Sequence, residues 1–383
     1  MLLDLAPPAP KARVVAAPVP APASAPATPK LWVPERVLVT RAALGWEHGR
    51  GVAERVAALG AEVVELGSDR LPSLDADGGD ARAIYREAKS TLAVVVASAS
   101  RRRPRPIPPS ADWRFDLAEG CPAHCQYCYL AGSLKGAPLT RVYANLPEIL
   151  AGLAPCLGEG TVTSRQAARA AEGTTFEASC YTDPLGIEHL TGSLAEAIRH
   201  FGAWDVAPVQ LRFTTKFDGV GPLLGLDHRR RTRARFSVNA APLSQRFEGG
   251  TARLPARLAA MRQLALAGYP AGLTVAPIMP VEGWRERYDA LFADVAEALE
   301  GVADLDLTAE LITHRFTPGS KEVLTGWYPG TSLEMDEARR SRKLTKFGST
   351  KYVYPAAIMR ELRGGLERLL ADRLPAARVL YWT

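Results

Sequence analysis

Apolar and polar positions along the chain fall into two rhythms. Arg36-Val-Leu-Val-Thr40 and Glu62-Val-Val-Glu-Leu66 are short β-branched runs that predict strands, and Val52 to Leu59, closing at Gly60, has the spacing of a helix. A helical pattern around Ala83 to Ala88 leads into Thr91-Leu-Ala-Val-Val-Val-Ala97, an unbroken apolar run that suits a strand covered on both faces. These segments predict a small α/β subdomain over residues 31–109, ending in the basic, Pro-rich linker Arg101-Arg-Arg-Pro-Arg-Pro-Ile-Pro-Pro109. From Trp113 a strand-helix alternation repeats. The expected strands are Trp113–Leu117, Thr175–Ser179, Gln210–Thr214, Ala234–Val238, Gly272–Ala276 and Asp306–Leu311, with helices around Leu146–Ala154, Ser193–Phe201, Ala256–Ala267 and Arg287–Leu299. Parallel strands joined through helices predict an open or partial α/β barrel over residues 110–320, followed by a C-terminal extension over residues 321–383.

Barrels of this kind place their working residues at the carboxyl ends of the strands. That rule selects the Cys121 to Cys128 loop, then Cys180, Lys216, Ser237 with Asn239, Ala276 with Pro277, and His314 with Arg315. Gly49 and Gly51 do not build a dinucleotide fingerprint.

Composition sharpens the ends of the chain. Residues 1–30 are dominated by Ala and Pro and cannot bury enough apolar surface to offset chain entropy, so a disordered tail is expected. They hold no apolar stretch long enough to cross a bilayer and no export signal, which makes the cytoplasm the expected location and excludes a membrane anchor there. The formal net charge is +6. Two basic runs concentrate it: His228-Arg-Arg-Arg-Thr-Arg-Ala-Arg235, and Arg339, Arg340, Arg342, Lys343, Lys346 and Lys351. Either is a solvated face or a surface for a polyanion.

The candidate chemistry lies in Glu119-Gly-Cys-Pro-Ala-His-Cys-Gln-Tyr-Cys-Tyr-Leu130. A Cys-x3-Cys-x2-Cys loop can hold three irons of a 4Fe-4S cluster and leave the fourth open to a chelating ligand. Zinc with His124 as fourth ligand is the competing reading, although no second pair of ligands follows downstream. Five cysteines, an odd number, do not form a disulfide framework. Cys156 reads as structural.

The cysteine spacing, with Tyr127 before the third cysteine, resembles the signature of radical S-adenosylmethionine enzymes. Further segments extend the likeness: Phe176-Glu-Ala-Ser-Cys-Tyr-Thr-Asp183, Ala234-Arg-Phe-Ser-Val-Asn239, Val275-Ala-Pro-Ile278, Glu282-Gly-Trp284, Glu310-Leu-Ile-Thr-His-Arg-Phe316 and Lys351-Tyr-Val-Tyr354. In this order they resemble the spore photoproduct lyase family, whose members repair a thymine dimer in DNA. The resemblance runs from about Lys30 to Thr383 and implies a partial (β/α)6 TIM-type radical SAM barrel. It assigns Cys121, Cys125 and Cys128 to a 4Fe-4S cluster, and Lys216, Ser237, Ala276 and Tyr127 to contacts with S-adenosyl-L-methionine. Cys180 becomes the hydrogen donor to a substrate radical, with Tyr129 and Tyr127 relaying the radical back to 5′-deoxyadenosine. Lys346, Phe347, Arg315, Lys351 and Tyr352 become contacts to damaged DNA. A flavodoxin- or ferredoxin-type electron donor and a monomeric state complete the expectation. The reaction implied is reversal of 5-thyminyl-5,6-dihydrothymine after hydrogen abstraction at C6. One departure stands out: Lys346-Phe347-Gly348 occupies the place of the family's Arg-Tyr-Gly turn, replacing a planar fork with a point charge and a phenol with a bare ring. Another DNA lesion or another substrate is the alternative for the same machinery, and a non-catalytic, metal-stabilised nucleic-acid-binding protein is the third reading.

Overall fold

A computed structural model of the chain describes residue 29 and residues 31–74, 80–134, 136–163, 166–205, 208–344, 348 and 350–383. The expected disordered tail, apart from residue 29, and the Lys346-Phe347 turn lie outside the described residues.

All of the expected barrel strands form: Ala111–Phe115, Thr174–Ala178, Val209–Thr215, Thr232–Val238, Ala271–Ile278 and Leu307–Thr313, called here the first to the sixth. They pair in parallel in that order and curl into a half-barrel. Two edge strands escaped the sequence pattern. Arg105–Ile107, inside the expected linker, pairs antiparallel with the first strand, and Arg378–Trp382 joins the sixth in parallel. Helices between the strands cover the convex face. In Ser193–Ala203 the side chains of Leu194, Ala197, Ile198 and Phe201 recur at helical spacing and are fully buried. That helix begins where the Glu188 carboxylate accepts the N–H groups of Leu194 and Ala195 at 2.8 and 2.9 Å, filling positions that have no partner within the helix.

A second sheet runs in the order Glu62–Glu65, Arg36–Val39, Thr91–Val95, Thr140–Tyr143, Ala118–Glu119. Its last two members come from beyond the Pro-rich run, so the cysteine loop leaves this sheet at Glu119 and the chain re-enters it at Thr140. Gly120 makes the exit possible. Its φ is +77° and a Cβ there would lie 2.3 Å from the Leu139 carbonyl oxygen, so a side chain meets both strain and a clash.

The basic run His228 to Arg235 leads into the fourth strand at its amino end, opposite the cysteine loop. Arg233 and Arg235 are each 1% exposed. Arg235 donates to Glu310 at 2.8 and 3.0 Å and lies 2.7 Å from Glu177, while Arg230 donates to the carbonyls of Gly268 and Asp304. Strand alternation turns Arg233 and Arg235 inward, where Asp306, just before the sixth strand, meets Arg233, and Glu177 of the second strand and Glu310 of the sixth meet Arg235. This corrects the surface expected from the sequence: these two cations belong to the barrel floor.

Candidate active site

The cysteine loop is held from both sides. His124–Cys125 pairs antiparallel with Glu248–Gly249, which follows the helix Ala241–Phe247 beyond the fourth barrel strand. The Tyr127 hydroxyl donates to Glu248, and the Gln126 N–H reaches the Phe247 carbonyl at 2.8 Å. Cys121, Cys125 and Cys128 line one cavity with Lys89 and Tyr85 from the helix Ala81–Ser90 and with Trp327 and Tyr328 from the end of Pro318–Trp327. Among the described residues no three His, Cys, Asp or Glu side chains close round a point as a single ion requires. Burial pushes the Cys121 thiol up to about 11 against the pull of Lys89, and raises Cys125 further. Thiolates become the stable form there only beside a positive centre.

The next strand ends face this loop. Lys216, just past the third strand, donates from Nζ to the Ser237 hydroxyl at 2.6 Å, and the same Nζ lies 5.7 Å from the centre of the Tyr127 ring. Its backbone N–H donates to Asp183 at 2.6 Å. Burial pushes the Asp183 carboxyl up to about 6, although the N–H bonds from Lys216 and Gly186 favour its ionised form. Ala276, in the fifth strand, is half-buried and precedes a cis peptide to Pro277, whose carbonyl accepts from Asn239 at 2.8 Å. Lys216, Ser237 and Tyr127 therefore converge on one side of the cysteine loop.

Cys180 follows the second strand. Ser179 before it has φ +57°, a left-handed conformation that a non-glycine residue adopts at some cost, and it is fixed by bonds to Phe115 and Leu117. The Cys180 thiol is held well above its ordinary range by burial first, then by the acids Glu177 and Asp116. Tyr129 is 59% exposed, at a water-accessible mouth. Its phenol is nonetheless raised by the protein around it and by the neighbouring Cys180 and Cys128.

The C-terminal extension supplies the far wall. The hairpin Ser341–Leu344 with Thr350–Val353 joins the end of the sixth strand through reciprocal backbone bonds between Phe316 and Tyr352 at 3.2 and 2.7 Å. Partial burial and the charges of Arg315 and Lys343 hold the Lys351 ammonium below the usual lysine range, so three cations face one another here. Arg340 from the same basic run turns inward, donating to the His314 carbonyl at 3.0 Å and stacking 3.8 Å from the centre of the Tyr354 ring. Cys156 packs against the main core.

Sequence reasoning singled out neither Glu248 with its partner Arg257, nor Lys89, nor Asp183. Asp183 closes a segment already picked out by its cysteine. Glu248 and Lys89 stand in stretches with no motif, and only the fold brings them to the loop.

Comparison with known proteins gives a consistent picture. A family model described as spore photoproduct lyase matches residues 32–383. Spore photoproduct lyase from a Geobacillus species is 41% identical over 92% of this chain and all of its own length, and that of Bacillus subtilis is 39% identical over 92% and 99%. Among solved structures, a double mutant of spore photoproduct lyase with bound AdoMet and dinucleoside spore photoproduct superposes with a TM-score of 0.84 at 40% identity, covering 92% of this chain and all of that one.

Proposed function

Because the chain belongs to the spore photoproduct lyase family, we propose that it repairs the thymine dimer 5-thyminyl-5,6-dihydrothymine in DNA, with S-adenosylmethionine and a 4Fe-4S cluster as cofactors. The observation that carries this reading is Cys180: a half-buried thiol just past the second strand, whose surroundings favour its protonated form, in the half-barrel whose other strand ends carry Lys216 and Ser237. The donor set suits the cluster, since three half-buried thiols line one cavity. When bound, cluster and S-adenosylmethionine supply the one-electron chemistry that removes hydrogen from a substrate carbon.

The residues divide the remaining work. The Lys216 ammonium is a compact partner for an amino-acid carboxylate, with the Ser237 hydroxyl beside it to fix its direction. Cys180 keeps its S–H because burial and neighbouring acids disfavour the thiolate. An S–H bond is weaker than the C–H bond formed when it quenches a thymine radical, so the transfer runs downhill. In this reading Tyr129, close enough to Cys180 for their charges to interact, returns a hydrogen to its sulfur, and Tyr127, bonded to Glu248, continues the relay. Arg315, Lys343 and Lys351 offer charge to a phosphate backbone. A dimer within a duplex reaches this mouth only if flipped out, at lower cost for an already distorted pair. A flavodoxin- or ferredoxin-type protein would provide the electron.

The test is product analysis. Anaerobically reconstituted, reduced protein is given oligonucleotides that each carry one defined thymine lesion. The expected result is thymine restored from the spore photoproduct alone; repair of a different dimer would instead favour the second substrate reading that Lys346-Phe347 raises. Cys180→Ala should still consume the lesion but yield less intact thymine and more trapped adducts. A normal thymine yield from that variant removes the donor role.

A further inference from the structure

The helix Ala81–Ser90 belongs to the second sheet, yet its last turn sends a side chain into the cysteine cavity. Lys89 is 9% exposed. Its ammonium donates to the carbonyls of Cys121 and Ala123 at 2.5 and 2.6 Å and lies 5.5 Å from the Tyr85 ring centre. Among the described residues no carboxylate pairs with it. A buried cation without a counter-charge is costly, and two neutral carbonyls do not supply one. Three thiolates on a 4Fe-4S cluster would. They leave that group net negative, and an added electron makes it more so.

We propose that Lys89 is the counter-charge of the cluster bound by Cys121, Cys125 and Cys128: a positioning residue that pins the first turn of the loop and raises the cluster's reduction potential. The proposal rests on the cluster assignment made above. Reduction potentials of such clusters respond to nearby charge, hydrogen bonding and exposure. The ammonium is unchanged by reduction, so it stabilises the reduced, more negative state more than the oxidised one. The loop's shape alone does not require a charge, because a neutral donor of similar length satisfies the same carbonyls.

That difference sets the experiment, a redox titration followed by electron paramagnetic resonance on reconstituted full-length protein. Lys89→Gln keeps a donor and loses the charge; Lys89→Arg keeps the charge. The expected result for Lys89→Gln is a roughly tenfold lower ratio of reduced to oxidised cluster at fixed potential, equivalent to about 59 mV for one electron, with Lys89→Arg close to wild type. A wild-type midpoint in Lys89→Gln overturns the proposal. If Lys89→Gln assembles no cluster by iron and sulfide content while Lys89→Arg does, the need for charge is upheld at assembly; if both fail, Lys89 acts through shape and the proposal falls. Wild-type protein without iron and sulfide would instead sink the cluster assignment itself.

Discussion

Replacing Glu248 by glutamine removes one negative charge from a sealed network and keeps nearly the same volume. Arg257, 1% exposed, donates to the carbonyls of Ala252 and Ser237 at 2.8 and 2.9 Å and to the Thr251 hydroxyl at 2.8 Å. Its Nη2 lies 2.5 Å from Glu248 Oε2, and both side chains are out of solvent, so salt does not screen the pair. In Glu248→Gln the amide oxygen can still accept from Tyr127, but the guanidinium is left buried with neutral acceptors, two carbonyls and a hydroxyl. Breaking one side of a buried pair costs about 3–5 kcal/mol, and the retained acceptor argues for the lower end, about 3 kcal/mol. Against a typical stability of about 5–15 kcal/mol that is a large loss. The assay is urea unfolding of the metal-free protein, alongside Arg257→Met and the double variant. Removing both charges together should cost at least about 2 kcal/mol less than the two single losses combined, because neither charge is then stranded. A Glu248→Gln loss within about 0.5 kcal/mol, the range of an ordinary surface change, refutes the reasoning, as does simple additivity.

Two further outcomes are expected. Burial pushes the Glu188 carboxyl up to about 7 from an ordinary 4.5, so the folded state holds that proton more tightly and unfolding free energy should fall as pH rises through that window, by about 3 kcal/mol in all. Denaturant midpoints at several pH values should show this slope flattened in Glu188→Gln; an unchanged slope assigns it elsewhere. For DNA binding, Arg315→Ala and Lys351→Ala should each lower the slope of log affinity against log salt by about one, measured by fluorescence anisotropy. Unchanged slopes would return these cations to a solvated face.

How much was legible in the sequence depended on how local the signal was. The strands of the half-barrel announce themselves because apolar residues recur at alternate positions, as in Val209, Leu211 and Phe213 or Ala234, Phe236 and Val238. The edge strand Arg378–Trp382 has only exposed and half-buried positions, and its residues Val379 to Trp382 do not alternate apolar with polar. Ala118–Glu119 is too short for any periodicity, although it fixes where the cysteine loop leaves the second sheet. Cys180 was found through its neighbours in sequence, but the left-handed Ser179 that turns the chain before it carries no compositional mark. The His228 to Arg235 run misled because alternation along a strand decides which cations point inward, and only strand pairing reveals the acids that receive them.

The positive charges sort by what neutralises them. In the barrel floor Arg233 meets Asp306, and Arg235 meets Glu177 and Glu310, so these cations are spent on the fold. Beside the cysteines, Lys89 is less deeply buried and donates to carbonyls in a cavity that it shares with the thiols. Lys216 faces a hydroxyl and a ring, and Arg315, Lys343 and Lys351 face one another. Desolvated or crowded cations are unfavourable unless an anion arrives. At the cysteine-loop end Arg257 and Arg340 also have their acids, Glu248 and Glu334, whereas among the described residues Lys89, Lys216 and the Arg315, Lys343 and Lys351 group have no carboxylate within ion-pair distance. On the reading proposed above, a thiolate-bound cluster would neutralise Lys89, an amino-acid carboxylate Lys216, and a phosphate backbone the group of Arg315, Lys343 and Lys351.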